Sequence, residues 1–253
     1  MCKTISIITV NKNNLNGLIK TFESVTSQDI DIYEYIIVDG FSNDGSIEYL
    51  NNISSSSHLK IIIEKDLGIY DAMNKAINIA KGDFIIFMNS GDCFADNSTL
   101  KAITNVIDSK SEILYGNYFH GNQLVQLPKK LNLLFFKGVG GSICHQASVI
   151  KRTLFNDLGI YDINYKYVAD THFFIKAYLK NVKFSHIPLP LVLFDTSGIG
   201  GSLASFNEKM KCYNTTAPFF LKLLYHPLYI YYIIKWEYKR NNLTFFLSKF
   251  KKY

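Results

Sequence analysis

Three aspartates stand where apolar runs end or polar loops begin, and oxygen chemistry at such places is the first thing the sequence offers. Asp39 closes YIIVD, Asp92 closes IIFMNSGD, and Asp170 sits in YVADTHFF. Each has an ordinary local use. Asp39 can form an Asx-turn or cap a helix, the Asn-Ser-Gly-Asp string of 89–92 is turn-forming, and Asp170 can cap the helix that follows it. Each also has a chemical use. Asp39 could hydrogen-bond a base or ribose. Asp92 could ligate Mg²⁺ or Mn²⁺ whose remaining ligands are diphosphate oxygens and waters, since a hard divalent ion needs only one or two protein carboxylates beside phosphates. Asp170 could take a proton from a hydroxyl as general base.

The elements that must position these acids follow from hydrophobic spacing. Ile5–Val10 is a short β-branched apolar run of the kind that forms a buried parallel strand. Leu15, Leu18, Ile19, Phe22 and Val25 then recur at helical spacing. Strands are predicted at 36–38, 59–63 and 84–88, with helices at 46–50, started by Asn43 or Asp44, and at 70–80 with Met73, Ala76, Ile77 and Ala80 inward and Gly82 just past the end. This alternation to about residue 110 argues for an α/β layer with a mostly parallel sheet flanked by helices. Ligands bind such sheets beyond the carboxyl ends of the strands. Those ends carry Asn11, Asp39, the 64–68 loop and 89–92. Later, 113–115 and 182–187 read as strands, 135–142 as a glycine-rich connection and 170–180 as a helix.

Composition removes several classes of function. The chain has 253 residues, 48% hydrophobic and 19% charged, which excludes wholesale disorder. Its net charge of +6 permits an anionic ligand or a membrane surface without calling for nucleic acid. Cys2, Cys93, Cys144 and Cys212 are scattered, with no CxxC pair, so neither a zinc site nor a disulfide framework is expected. No GxGxxG follows the first strand and no GxxxxGK[ST] occurs, so a nucleotide would be held by side chains and a metal rather than a glycine cradle. The first apolar run is too short for a signal peptide, and no apolar span reaches bilayer length, so a cytoplasmic protein with reduced thiols is expected. From Pro218 the chain turns basic and aromatic. This tail can form helices packed on the domain, broken at His226-Pro227, or a peripheral membrane anchor.

Taken together, ISIITVNKNN, YIIVDGFSNDGSIEYL, EKDLGIYDAMNKAINIAKGDFIIFMNSGD, CHQASVIKR, YVADTHFF and GIGGS resemble the family-2 inverting glycosyltransferases of the GT-A fold, closest to the bacterial branch that builds surface polysaccharide and lipopolysaccharide. The resemblance runs from residue 4 to about 202 and implies a glycosyltransferase domain over 1–217 with a helical tail over 218–253. It implies that Thr9, Asn11 and Asp39 contact the nucleoside of a nucleotide-sugar, that Asp66 and Asn74 line that pocket, and that Asn89, Ser90, Gly91 and Asp92 form the diphosphate motif, Asp92 holding Mn²⁺ or Mg²⁺. Asp170 takes the catalytic-base position, and His145 and Gln146 lie near the acceptor. Asn89 replaces an acid often found there, and His172 stands where other members often carry one. By the same analogy the nucleotide is UDP, and the acceptor is a saccharide or polyprenyl-diphosphate-linked sugar at the cytoplasmic membrane surface. Two alternatives stay open: a sugar-nucleotide-forming nucleotidyltransferase, and a non-catalytic membrane scaffold that binds sugar nucleotide.

Overall fold

The strongest apolar runs of the sequence become the centre of one sheet. The computed structural model describes residues 3–53, 56–132, 143–195 and 203–216. The glycine-rich connection expected at 135–142, the GIGGS segment and the tail from Pro218 lie outside the described residues. The chain divides into two compact units, Met1–Cys212 and Tyr213–Tyr253, slightly before the 217/218 boundary expected from sequence. All of the site lies in the first.

Strands β1 (Ile5–Asn11), β2 (Glu34–Asp39), β3 (Leu59–Ile63) and β4 (Phe84–Phe87) are parallel and ordered β3-β2-β1-β4. Each is joined to the next through a helix: α1 (Leu15–Thr26), α2 (Ser46–Asn52) and α3 (Ile69–Ile79). Every residue of β1, β2 and β4 is buried, which is why their sequences show no alternation. Helix α3 buries Met73, Ala76 and Ile77 as its spacing predicts. Each large apolar side chain so buried contributes about 1.5–3 kcal/mol. Gly82 does not cap α3. A Cβ there would stand 2.5 Å from the Ser6 backbone nitrogen, so the glycine permits close approach of the chain to β1.

Beyond β4 the sheet changes character. The two-residue strand β5 (Cys93–Phe94) is followed by α4 (Thr99–Val106), β6 (Ile113–His120) and β7 (Gln123–Val125). Then come a 3-10 turn at His145–Ala147, β8 (Ser148–Lys151), α5 (Thr153–Leu158), α6 (Ala169–Leu179), β9 (Phe184–Phe194) and α7 (Leu203–Thr216). The order continues β4-β8-β6-β9-β5, with β8 antiparallel to both β4 and β6 while β6 and β9 run parallel. The consequence for the site is direct. Because β8 runs backwards, the turn that precedes it lies at the edge where β1, β2 and β4 end. Strand β9 is longer than the expected 182–187. It continues through Pro188 and Pro190, whose missing N–H groups fall where the register with β6 shifts.

Candidate active site

The loop after β4 is built first. Gly91 has φ +106°, and a Cβ on it would lie 2.3 Å from an Asp195 carboxylate oxygen, so only glycine fits. Helix α1 fastens this loop. Asn14 Nδ2 donates to the Ser90 carbonyl at 3.1 Å, and Gly91 N donates to the Gly17 carbonyl at 3.0 Å. Thr21 Oγ1 donates to the Asp92 carbonyl at 2.8 Å, and Lys20 Nζ to the Gly91 carbonyl at 3.1 Å. The loop therefore presents Asp92 from a fixed backbone.

Asp92 is 3% exposed. Its Oδ1 accepts from the backbone N of Asp195 at 2.8 Å and its Oδ2 from Gln146 Nε2 at 2.9 Å. Burial pushes its carboxyl up to about 6; those two donors and His145 work against the shift, and the Asp195 carboxylate adds to it. A divalent cation fits these surroundings. Asp92 and Asp195 bring two carboxylates together, and the buried Asn89 Oδ1 and Ser90 Oγ beside them have no hydrogen-bond partner. Among the described residues no cluster of three His, Cys, Asp or Glu forms an all-protein metal cage, so phosphate oxygens and waters would complete the shell.

Asp170 begins α6, and its side chain is 14% exposed. Oδ1 accepts from Tyr70 Oη at 3.0 Å and from Thr171 N at 2.7 Å, and Oδ2 meets His145 Nδ1 at 2.8 Å. Burial pushes this carboxyl up, but the His145 bond and charge, with the Thr171 and Tyr70 donors, bring it below its ordinary value. An aromatic floor holds the group: Tyr161 packs on Tyr70 at 5.4 Å and on Phe173 at 5.7 Å, and Phe155 stacks on Phe173 at 4.7 Å. The loop before α6 is tied by Glu208 of α7, which accepts from the backbone N of Lys166 at 2.8 Å and of Tyr167 at 2.6 Å. Lys209, the next residue, lies near enough to Asp170 for the carboxylate to favour its charged form, although burial depresses its amine.

Other expected site residues fall into two groups. Asn11 is at the edge, with Nδ2 donating to Asp39 Oδ2 at 2.7 Å and a buried Oδ1 that has no partner. Asp66 lies beside it, accepting from Gly68 N at 3.0 Å, against a Gly40 where a Cβ would meet its oxygen at 2.2 Å. Three more expected residues make hydrogen bonds within the framework that holds this edge. Thr9 is fully buried between Tyr35 Oη at 2.9 Å and the Met88 carbonyl at 2.7 Å. Asn74 pairs both ways with the Tyr161 backbone at 2.8 and 3.0 Å. Asp39 is fully buried, bonded to Ser42 N at 2.7 Å, Ser42 Oγ at 2.8 Å and Asn11, and so fixes its loop as an Asx-type acid. His145 and Gln146 do reach the site, with their polar atoms turned onto Asp170 and Asp92.

Tyr70, Asp195 and Lys209 were not foreseen. Asp195 had a signal: like Asp39 and Asp92 it ends an apolar strand.

Known proteins share this arrangement of strands. The model of the family described as "Glycosyl transferase family 2" matches residues 6–159. An uncharacterised glycosyltransferase of Mycobacterium tuberculosis is 32% identical over 205 residues, covering 78% of this chain and 77% of that one. A PGL/p-HBAD biosynthesis glycosyltransferase of Mycobacterium bovis is 29% identical over 179 residues, covering 68% and 69%. Among solved structures, S. aureus TarS 1-349 in complex with UDP-GlcNAc superposes with a TM-score of 0.66 at 22% identity, over 82% of this chain and 64% of that one. The Pyrobaculum calidifontis mannosyltransferase PcManGT, in complex with GDP-Man and Mn²⁺, gives 0.60 at 16% identity, over 83% and 62%. The chain thus spans a little under two thirds of these solved chains, and 38% of a longer TarS chain. The fold is the GT-A fold, and of the three functions left open by the sequence the family match selects the transferase. The chain belongs to glycosyl transferase family 2.

Proposed function

We propose that this glycosyltransferase moves a sugar, with inversion, from a UDP-sugar to a hydroxyl of a saccharide or polyprenyl-diphosphate-linked acceptor in bacterial surface-polysaccharide synthesis. The observation that carries the reading is Asp170: a mostly buried carboxylate at the same sheet edge as Asp92, with three hydrogen bonds and one oxygen lone pair left for an incoming hydroxyl. The acceptor hydroxyl donates to Asp170, and its oxygen attacks the anomeric carbon from the side opposite the diphosphate. The new C–O bond forms as the bond to phosphate breaks. The electron pair leaves with UDP, and the hydroxyl proton goes to Asp170. One displacement inverts the centre. Mn²⁺ or Mg²⁺ held at Asp92, when bound, neutralises charge on the leaving diphosphate.

Asn11 Oδ1, with Asn89 Oδ1 and Ser90 Oγ, supplies unpaired acceptors for donor hydroxyl or N–H groups. Asp66 lines the same edge, and Asp39, Thr9 and Asn74 act by holding it in shape. TarS structures in complex with UDP and with UDP-GlcNAc support a UDP donor, and a relative named for PGL/p-HBAD biosynthesis supports a glycan or glycolipid acceptor. The basic aromatic tail from Pro218 supports action at a membrane surface. The test is UDP release from UDP-GlcNAc, UDP-glucose and UDP-galactose with Mn²⁺. Asp170→Asn should cut turnover on the order of 10²-fold or more while UDP still raises thermal stability. Parent-rate transfer by this variant would remove Asp170 from the base role.

A further inference from the structure

His145 and Gln146 are consecutive residues of one 3-10 turn, and their side chains bond the two acids of the site. His145 Nδ1 meets Asp170 Oδ2 at 2.8 Å, and Gln146 Nε2 donates to Asp92 Oδ2 at 2.9 Å. A carboxylate can only accept, so the bond to Asp170 puts the imidazole proton on Nδ1. In the neutral ring Nε2 then accepts from Asn89 Nδ2, 3.0 Å away; in the charged ring both nitrogens donate. Both ring nitrogens are thus used, and Nδ1 carries a proton in either form. Gln146 is oriented in the same way: Cys144 Sγ donates to its Oε1 at 2.8 Å, leaving the amide nitrogen for Asp92. The turn itself is stitched by Ala147 N to the Cys144 carbonyl at 3.0 Å and by Ser148 Oγ to the same carbonyl at 2.8 Å. Phe87 packs edge-on against the imidazole at 6.1 Å. His145 and Gln146 are both buried residues, 8% and 6% exposed, with little surface left for an acceptor.

We propose that the His145–Gln146 turn is the positioning device of the site: His145 orients Asp170, Gln146 orients Asp92, and the rigid turn between them sets the separation of the two carboxylates. The roles of those carboxylates rest on the function proposed above. The bonds to His145 and Gln146 do not. His145 is therefore a positioning residue, acting through Asp170, rather than an acceptor contact.

The test has a spectroscopic arm and a kinetic arm. In the substrate-free protein, proton NMR should show a strongly downfield imidazole Nδ1 proton that disappears in His145→Asn and in Asp170→Ala; no such proton in the parent overturns the proposal. In hydrolysis of whichever UDP-sugar the parent turns over with Mn²⁺, water replaces the acceptor. His145→Ala should lower kcat roughly 10- to 100-fold with the donor KM little changed. His145→Asn, whose Nδ2 can reach the place of Nδ1, should recover most of the loss. Within Asp170→Asn, adding His145→Ala should cost nothing further. A group that only touched the acceptor would leave hydrolysis by water unchanged, and that result rejects the proposal, as does additivity in the double variant. Gln146→Met should weaken Mn²⁺-dependent UDP binding measured by calorimetry; unaltered binding rejects the Asp92 half. If Asp170→Asn is fully active while the downfield proton is present, the base assignment fails and the His145–Asp170 bond stands.

Discussion

At the scale of single residues, the chemistry depends on how each carboxylate is solvated by protein. Tyr70 donates to Asp170 Oδ1 and so favours the ionised acid. Tyr70→Phe removes that donor, which raises the Asp170 pKa. A base must be ionised to act, so the acid limb of the kcat profile for UDP-sugar hydrolysis should move to higher pH. An unchanged limb would show that Asp170 does not govern it. Asp92 is the opposite case: burial and the neighbouring Asp195 carboxylate lift its carboxyl, and the Asp195 N–H, Gln146 and His145 offset this only in part. Asp92→Asn keeps the shape of the side chain and removes the charge. The expected result is loss of Mn²⁺-dependent UDP binding by calorimetry with the melting temperature retained or raised, since an uncompensated buried charge has been neutralised. Both acids were visible in the sequence, Asp92 at the end of an apolar run and Asp170 at a helix start. Tyr70 was not, because a bond between residues 70 and 170 leaves no local pattern, and Lys209 was missed for the same reason.

Among the elements, the parallel half of the sheet was the legible half. β1, β2 and β4 are buried on both faces and β3 is half-buried, so their sequences are short apolar runs between amphipathic helices. The other half was largely hidden. β5, β7 and β8 have two, three and four residues, too few to show a period. β9 runs through two prolines that mark a strand end in most contexts. The antiparallel placement of β8, which delivers His145 and Gln146 to the sheet edge, could not be read from SVIK. At the far end of the sheet Glu34 joins three elements. It accepts from Ser6 Oγ on β1 at 2.5 Å and from Lys81 N at 2.8 Å, and it is paired with Lys60 on β3. Burial raises its carboxyl, but the Lys60, Ser6 and Lys81 donors outweigh that and bring it below its ordinary value. A depressed acid contributes stability above its unfolded pKa and loses it as pH falls through the folded one. Unfolding in urea should therefore become easier as pH drops below about 4.5. Glu34→Gln should cost roughly 1–3 kcal/mol at neutral pH and weaken the acid dependence. Equal stability of variant and parent at neutral pH would refute the role.

For the whole molecule, the open question is where the acceptor is met. Among the described residues no helix is long and apolar enough to cross a membrane. The sequence after Pro218, FFLKLLYHPLYIYYIIKWEYKRNNLTFFLSKFKKY, is rich in Tyr and Phe with Lys and Arg interspersed and few acids. Tyr and Trp favour the headgroup region, and each Lys or Arg near an anionic surface contributes about 1 kcal/mol of attraction. Lys222, His226 and Pro227 interrupt its most apolar stretch, which disfavours a span and leaves interfacial binding as the expected mode. An acceptor carried on polyprenyl diphosphate would be presented at that same surface. The intact chain should co-sediment with vesicles containing phosphatidylglycerol. Raising salt from about 0.1 M to 1 M shortens the screening length from about 10 Å to 3 Å and should release much of it. Deletion from Pro218 should abolish most of the binding while UDP with Mn²⁺ still stabilises the remaining domain. Intact protein left in the supernatant at low salt would reject the anchor. Binding that survives both salt and the deletion would place the contact on the catalytic domain instead.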